Sequence, residues 1–149
     1  GAKVDHMLLK SGGLLEVTFT MPVKMQFTTC EANAALPLLR RIVDDILSTS
    51  GRIRDINEAA AAGTVDDPIL DRLMRDLQEL FAEIEELGCS YRDWNFSIGL
   101  VDFPARIDGE EVLLCWRSDE RSVRYYHGLF EGYAGRKLIP QEKAEEVLG

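Results

Sequence analysis

Apolar and polar residues alternate early in the chain. Leu15, Val17 and Phe19 are separated by Glu16, Thr18 and Thr20, a period of two that predicts a strand, which Pro22 stops. The period then changes. From Leu36 the apolar residues fall at 36, 39, 43, 46, 53 and 60, with Ser50 and Asn57 in the gaps, and this three-four spacing predicts a helix. Thr28-Thr29-Cys30-Glu31 ahead of it reads as a capping box, and Gly63 is the expected end. Pro37 predicts a kink, or a short helix followed by a long one. Asp67-Pro68 supplies the N-cap and first position of a second helix. Its seam, Leu70, Leu73, Leu77, Leu80, Ile84 and Leu87, runs without a gap to Gly88. Two helices over 28–62 and 67–87, joined by about five residues, predict an antiparallel hairpin. Leu38, Ile42, Met74 and Phe81 widen the stripe beyond a two-helix seam, so the hairpin is expected to cover a sheet and, second, another copy of itself.

The segment 95–139 predicts that sheet, with three strands. Ile107-Asp108-Gly109-Glu110 is a tight hairpin, because Asp-Gly supplies the positive φ the turn requires. This register sets Phe103 opposite Leu114, Val101 opposite Trp116 and Asp102 opposite Cys115. A second hairpin at Ser118-Asp119-Glu120-Arg121 would set Trp116 opposite Val123, Leu114 opposite Tyr125 and Val112 opposite His127. One face would then carry Val101, Phe103, Ala105, Val112, Leu114, Trp116, Val123, Tyr125 and His127 and pack on the helices. The other would carry Leu100, Asp102, Pro104, Arg106, Glu111, Leu113, Cys115, Arg117, Arg124 and Tyr126. Pro104 suits an edge strand or a bulge. The fold class expected is α+β, one domain over 1–149, with an N-terminal extension at 1–24 whose strand joins the sheet and a polar tail at 140–149.

The net charge of −9, from 26 acidic and 17 basic residues, opposes nucleic-acid binding, which needs a basic face. Glu110, Glu111, Asp119, Glu120 and Glu131 dilute the basic residues of the sheet segment. No apolar run approaches the roughly 20 residues of a membrane helix, and Lys10-Ser11-Gly12-Gly13 leaves no signal-peptide core. Three cysteines without a Cys-x-x-Cys pair suit free thiols in a reducing cytoplasm. Gly1 to His6 reads as vector-derived sequence ahead of an initiating Met7, which makes His127 the one native histidine.

His127 is the candidate acid–base group, with Asp102 as its orienting carboxylate. The predicted register sets the two on opposite faces, and the plain reading of His127 is a core-edge histidine bonded to backbone. Asp102, Cys115 and Arg124 form a row across the second face: a thiol or anion site, or an Asp–Arg pair over a half-buried cysteine. A metal would draw on His127, Cys115, Asp102 or Glu120, but one histidine without paired ligand spacing predicts none, and no cofactor is expected. Gly132-Tyr133-Ala134-Gly135-Arg136-Lys137 is a glycine turn in which Arg136 is the candidate anion holder. Arg117, Trp116 and Tyr126 complete the ligand-binding candidates.

Phe27-Thr28-x-x-Glu31-Ala32-Asn33-x-x-Leu36-Pro37-Leu38, Gly99-Leu100-Val101-Asp102-Phe103-Pro104, Leu114-Cys115-Trp116, Tyr126-His127 and Gly135-Arg136 resemble, in order and spacing, a family of small bacterial proteins catalogued as domain of unknown function 2203. The resemblance covers about 27–139 and implies a cytoplasmic bacterial protein with helices before strands. It brings no activity. The expectation is a non-catalytic interaction or regulatory module that dimerises through its helical hairpin and binds a protein or small anionic ligand at the sheet. The alternative is a small enzyme using His127 and Arg136. Light scattering at micromolar concentration checks the assembly: a dimer is expected, and a strict monomer with its apolar stripe fully covered contradicts it.

Overall fold

The computed structural model describes residues 26–61, 68–93 and 95–140. The N-terminal strand expected at 15–20, the helix stop at Gly63 and the tail after 140 lie outside them. The fold is α+β: two helices, α1 (Thr29–Ala60) and α2 (Pro68–Glu86), and a sheet of five strands. The strands are β1 (Ser90–Tyr91), β2 (Leu100–Ile107), β3 (Glu110–Arg117), β4 (Tyr125–Gly128) and β5 (Lys137–Leu138), lying side by side in chain order, each antiparallel to its neighbours. The sequence pattern predicts three strands. The other two, β1 and β5, are two residues each, too short to show a period.

Helix α1 opens on the expected capping box. The Thr28 hydroxyl accepts from the Glu31 amide at 2.9 Å, and the Glu31 carboxylate accepts from the Thr28 amide at 3.0 Å. The helix runs through Pro37 as one continuous element of 32 residues rather than breaking into two. Proline removes one helix hydrogen bond. Burial of Leu36, Leu39, Ile42, Val43 and Ile46 outweighs it at about 2 kcal/mol per side chain. Helix α2 starts at Pro68 and stops at Gly88, whose φ is 95°. There the Cys89 amide donates to the Ile84 carbonyl and the Gly88 amide to that of Glu85, so two open carbonyls are satisfied. The helices pack against each other, and one core joins Leu39, Val43 and Ile46 of α1 and Ile84 of α2 to Val101, Phe103, Leu114 and Trp116 of the sheet. The sheet face bearing those residues is its inner face.

The β2–β3 register is the one the Asp108-Gly109 turn predicts. Val101 pairs with Trp116, Asp102 with Cys115, Phe103 with Leu114 and Ile107 with Glu110, and Asp108 and Gly109 both take positive φ. Pro104 sits past the end of β1, so its ring meets no ladder neighbour there, and its carbonyl accepts from the Phe27 amide.

The β3–β4 register differs from the expectation by one residue. Val112 pairs with Gly128, Leu113 with His127, Leu114 with Tyr126 and Cys115 with Tyr125. A one-residue slip exchanges faces. Tyr126 therefore packs against the core, while Tyr125 and His127 turn to the outer face, the reverse of the assignment from sequence. Arg124, expected in a row with Asp102 and Cys115, is exposed and precedes β4; Tyr125 takes that place. The cause is Glu120. Its carbonyl accepts from the Trp116 indole at 2.9 Å, and its carboxylate accepts from the Arg117 amide at 2.8 Å and from Arg136 at 2.6 Å. These bonds hold 118–124 as a wide connection instead of the two-residue hairpin.

Glu120→Ala removes two bonds to a charged acceptor, so it should cost about 2 kcal/mol in a denaturant titration. Loss of less than about 0.5 kcal/mol would contradict the role given to this carboxylate.

Candidate functional site

The wide β3–β4 connection brings together what the sequence pattern keeps apart. Asp102 on β2, Cys115 on β3 and His127 on β4 are 2%, 1% and 2% exposed, and their side chains meet on the outer face. The His127 Nε2 lies 3.3 Å from Asp102 Oδ1 and 3.2 Å from Oδ2. The Cys115 thiol faces the same carboxylate. One ligand-type atom from each residue lies within 4.8 Å of the others. Each residue is held by the ladder of its strand rather than by a loop, so the group is preorganised.

Asp102 has a further partner. Arg92, the residue after β1, donates from Nε to Asp102 Oδ2 at 3.2 Å, with its side chain about half exposed. On the other side of His127, Nδ1 lies 2.9 Å from the Gly128 carbonyl. A carbonyl only accepts, so Nδ1 carries its proton and Nε2 is the nitrogen turned to Asp102 and Cys115. Burial pushes the Cys115 thiol up to about 12, and the charge of Asp102 adds to this. Burial and the Asp102 charge likewise push the Cys89 thiol up to about 12. Neither is a free thiolate nucleophile at neutral pH.

These three side chains form the floor of a cleft of about 520 Å³. Its walls include Leu100, Arg92, Leu129, Phe130, Glu131 and Tyr133. Phe130 is 99% exposed at the rim. The Gly128 amide, donating at 2.7 Å, and nearby Lys137 hold the Glu131 carboxylate below the usual range. The cleft thus presents a guanidinium, a carboxylate and apolar walls over a buried polar floor.

The remaining sequence candidates lie elsewhere. Arg136 is sandwiched between the rings of Tyr125 and Tyr133, at 4.1 and 4.7 Å, and its Nη2 bonds Glu120 and the Cys115 carbonyl. It braces the wide connection under the site. Arg117 pairs with Asp119 at 2.7 Å and bonds the Tyr133 hydroxyl. Trp116 is fully buried in the core beneath Arg40, and Tyr126 lines the inner face. Arg92, Leu129 and Phe130 escape the sequence reading: Arg92 follows a two-residue strand, and no periodic pattern marks the other two.

The sequence profile of a family described as "Uncharacterized conserved protein (DUF2203)" matches residues 25–139, and the chain belongs to that family. No curated protein and no solved structure matches the chain. No helix among the described residues is long and apolar enough to cross a membrane.

Of the three free cysteines only Cys30 is exposed. An aromatic disulfide reagent at neutral pH should therefore titrate one thiol in the folded chain and all three after unfolding, with the fast one lost in Cys30→Ser. Rapid reaction of a second thiol in the folded protein would contradict the burial of Cys89 and Cys115.

Proposed function

We propose that this DUF2203 chain is a small enzyme and that its active site is the cleft over Asp102, Cys115 and His127. The observation that carries the reading is the convergence of those three side chains, from three neighbouring strands, at the floor of a cleft. Buried ionisable groups gathered in a concave site are the usual setting of acid–base and ligand-binding chemistry. In this reading the helices form one hairpin over the inner face, which leaves the outer face for chemistry.

The walls describe the substrate class. The Arg92 Nε is taken by Asp102, while its two terminal nitrogens have no protein partner among the described residues. They suit a carboxylate or phosphate ester group. Leu100, Leu129 and Phe130 suit an apolar portion. Glu131 and the net charge of −9 disfavour a polyanion. The substrate is thus a small molecule with one acidic group, and Arg92 takes the anion-holding role that the sequence pattern assigns to Arg136. A bacterial cytoplasmic setting fits the free thiols and the family resemblance.

An interaction module that self-associates through its helices is the second reading. Leu38, Ile69 and Met74 favour it, being 42%, 52% and 49% exposed on α1 and α2.

A thermal-shift screen of small carboxylates, phosphate esters and amides tests the first. A ligand at a hundred times its Kd adds about 2.7 kcal/mol, or roughly 8 °C at this chain length. The shift should vanish in Asp102→Asn and in Arg92→Ala, each measured against its own unliganded melting point. Ligands that stabilise wild type and both variants equally, or no ligand at all, would count against the cleft.

A further inference from the structure

The floor of the cleft contains an electrostatic problem. With its proton on Nδ1, the His127 Nε2 presents a lone pair, and it faces both oxygens of Asp102 at 3.2 and 3.3 Å. Two acceptors at that separation repel unless a positive charge lies between them. A shared proton answers this for the imidazole and carboxylate alone. Cys115 points its sulfur at the same place, and a divalent ion answers it for all three.

We propose that Asp102, Cys115 and His127 Nε2 bind one divalent ion of the zinc class, with a further coordination position open to the cleft. The proposal rests on the reading of the cleft as an active site and states what acts there.

The geometry supports it. A tetrahedral ion with bonds of about 2.0–2.3 Å sets its donors roughly 3.3–3.6 Å apart. The Asp102–His127 separation already falls beside that range, and the sulfur lies within 4.8 Å of both partners. Small side-chain rotations close the set. The surroundings match as well. A metal-bound histidine as a rule donates its other ring N–H to a carbonyl or carboxylate, as Nδ1 does to Gly128. A ligating carboxylate is itself hydrogen-bonded, as Asp102 is by Arg92.

The donor set selects the ion. One sulfur, one imidazole and one carboxylate favour zinc or cobalt over magnesium or calcium, which take oxygen ligands in larger number. On binding, the Cys115 S–H bond breaks, its proton leaves to solvent, and the sulfur lone pair forms the bond to the ion. Carboxylate and thiolate together neutralise a dication in a place almost sealed from water. Structural zinc has four protein ligands, whereas catalytic zinc has three and keeps a position for water or substrate. Among the described residues no fourth cysteine, histidine or carboxylate joins the group.

The test is a cobalt titration of the full chain after chelator treatment. Wild type should take up one Co²⁺ per chain, with strong visible bands of tetrahedral cobalt and a near-ultraviolet thiolate-to-cobalt charge-transfer band, both displaced by Zn²⁺. The nearly isosteric Cys115→Ser should lose the charge-transfer band and bind at least ~10-fold more weakly. Cys89→Ser, which alters the other buried thiol, and His6→Ala should leave the spectrum intact. The wild-type spectrum decides even if a variant fails to fold. No saturable uptake, or a charge-transfer band that survives in Cys115→Ser, overturns the proposal. If small-molecule thermal shifts dependent on Asp102 persist without cobalt uptake, the metal is refuted and the active-site reading stands.

Discussion

The parity of the connection between β3 and β4 governs what this sheet can do. Side chains alternate along a strand, so one residue more or less in a connection decides which face every later residue joins. The connection here is centred on Glu120, which gathers the indole of Trp116, the amide of Arg117 and the guanidinium of Arg136. That arrangement turns His127 toward Asp102 and Cys115 and sends Tyr126 to the core. With the opposite parity, His127 would be a polar ring against an apolar layer, and Asp102 would keep only Arg92 and a thiol.

The same interaction links fold to site in the other direction. Trp116 fills the core while its indole N–H fixes Glu120, so the packing that stabilises the inner face also sets the register of the outer one. Arg136, stacked between Tyr125 and Tyr133, closes the bracket and reaches the carbonyl of Cys115. Burial of Asp102 is sustained by the Arg92 guanidinium, whose Nε donates to it, since a buried carboxylate requires a paired charge.

What could be read from sequence follows from where the governing interactions are local. The capping box at Thr28 and Glu31, the Pro68 start, the Gly88 stop and the Asp108-Gly109 turn each depend on neighbouring residues, and each stands in the structure. The pairing of Asp102 with Cys115 followed from that turn. The β4 face did not, because Ser118-Asp119-Glu120-Arg121 looks like a two-residue hairpin until Arg136, sixteen residues on, binds Glu120. Pro37 misleads for a related reason: a local penalty is overridden by burial of the α1 face against residues distant in sequence. Arg92 carries no pattern at all, and only the pairing of β1 with β2 brings it to Asp102.

The central claim is that His127 stands on the outer face with Nδ1 donating to Gly128 and Nε2 turned toward Asp102 and Cys115. A long-range ¹H–¹⁵N correlation spectrum of the ring, with nuclear Overhauser contacts from its carbon-bound protons, tests this most directly. The account predicts a protonated Nδ1 in every state, and contacts to the Cys115 methylene. An unprotonated Nδ1, with contacts to Val112 and Ala105 instead, would contradict it.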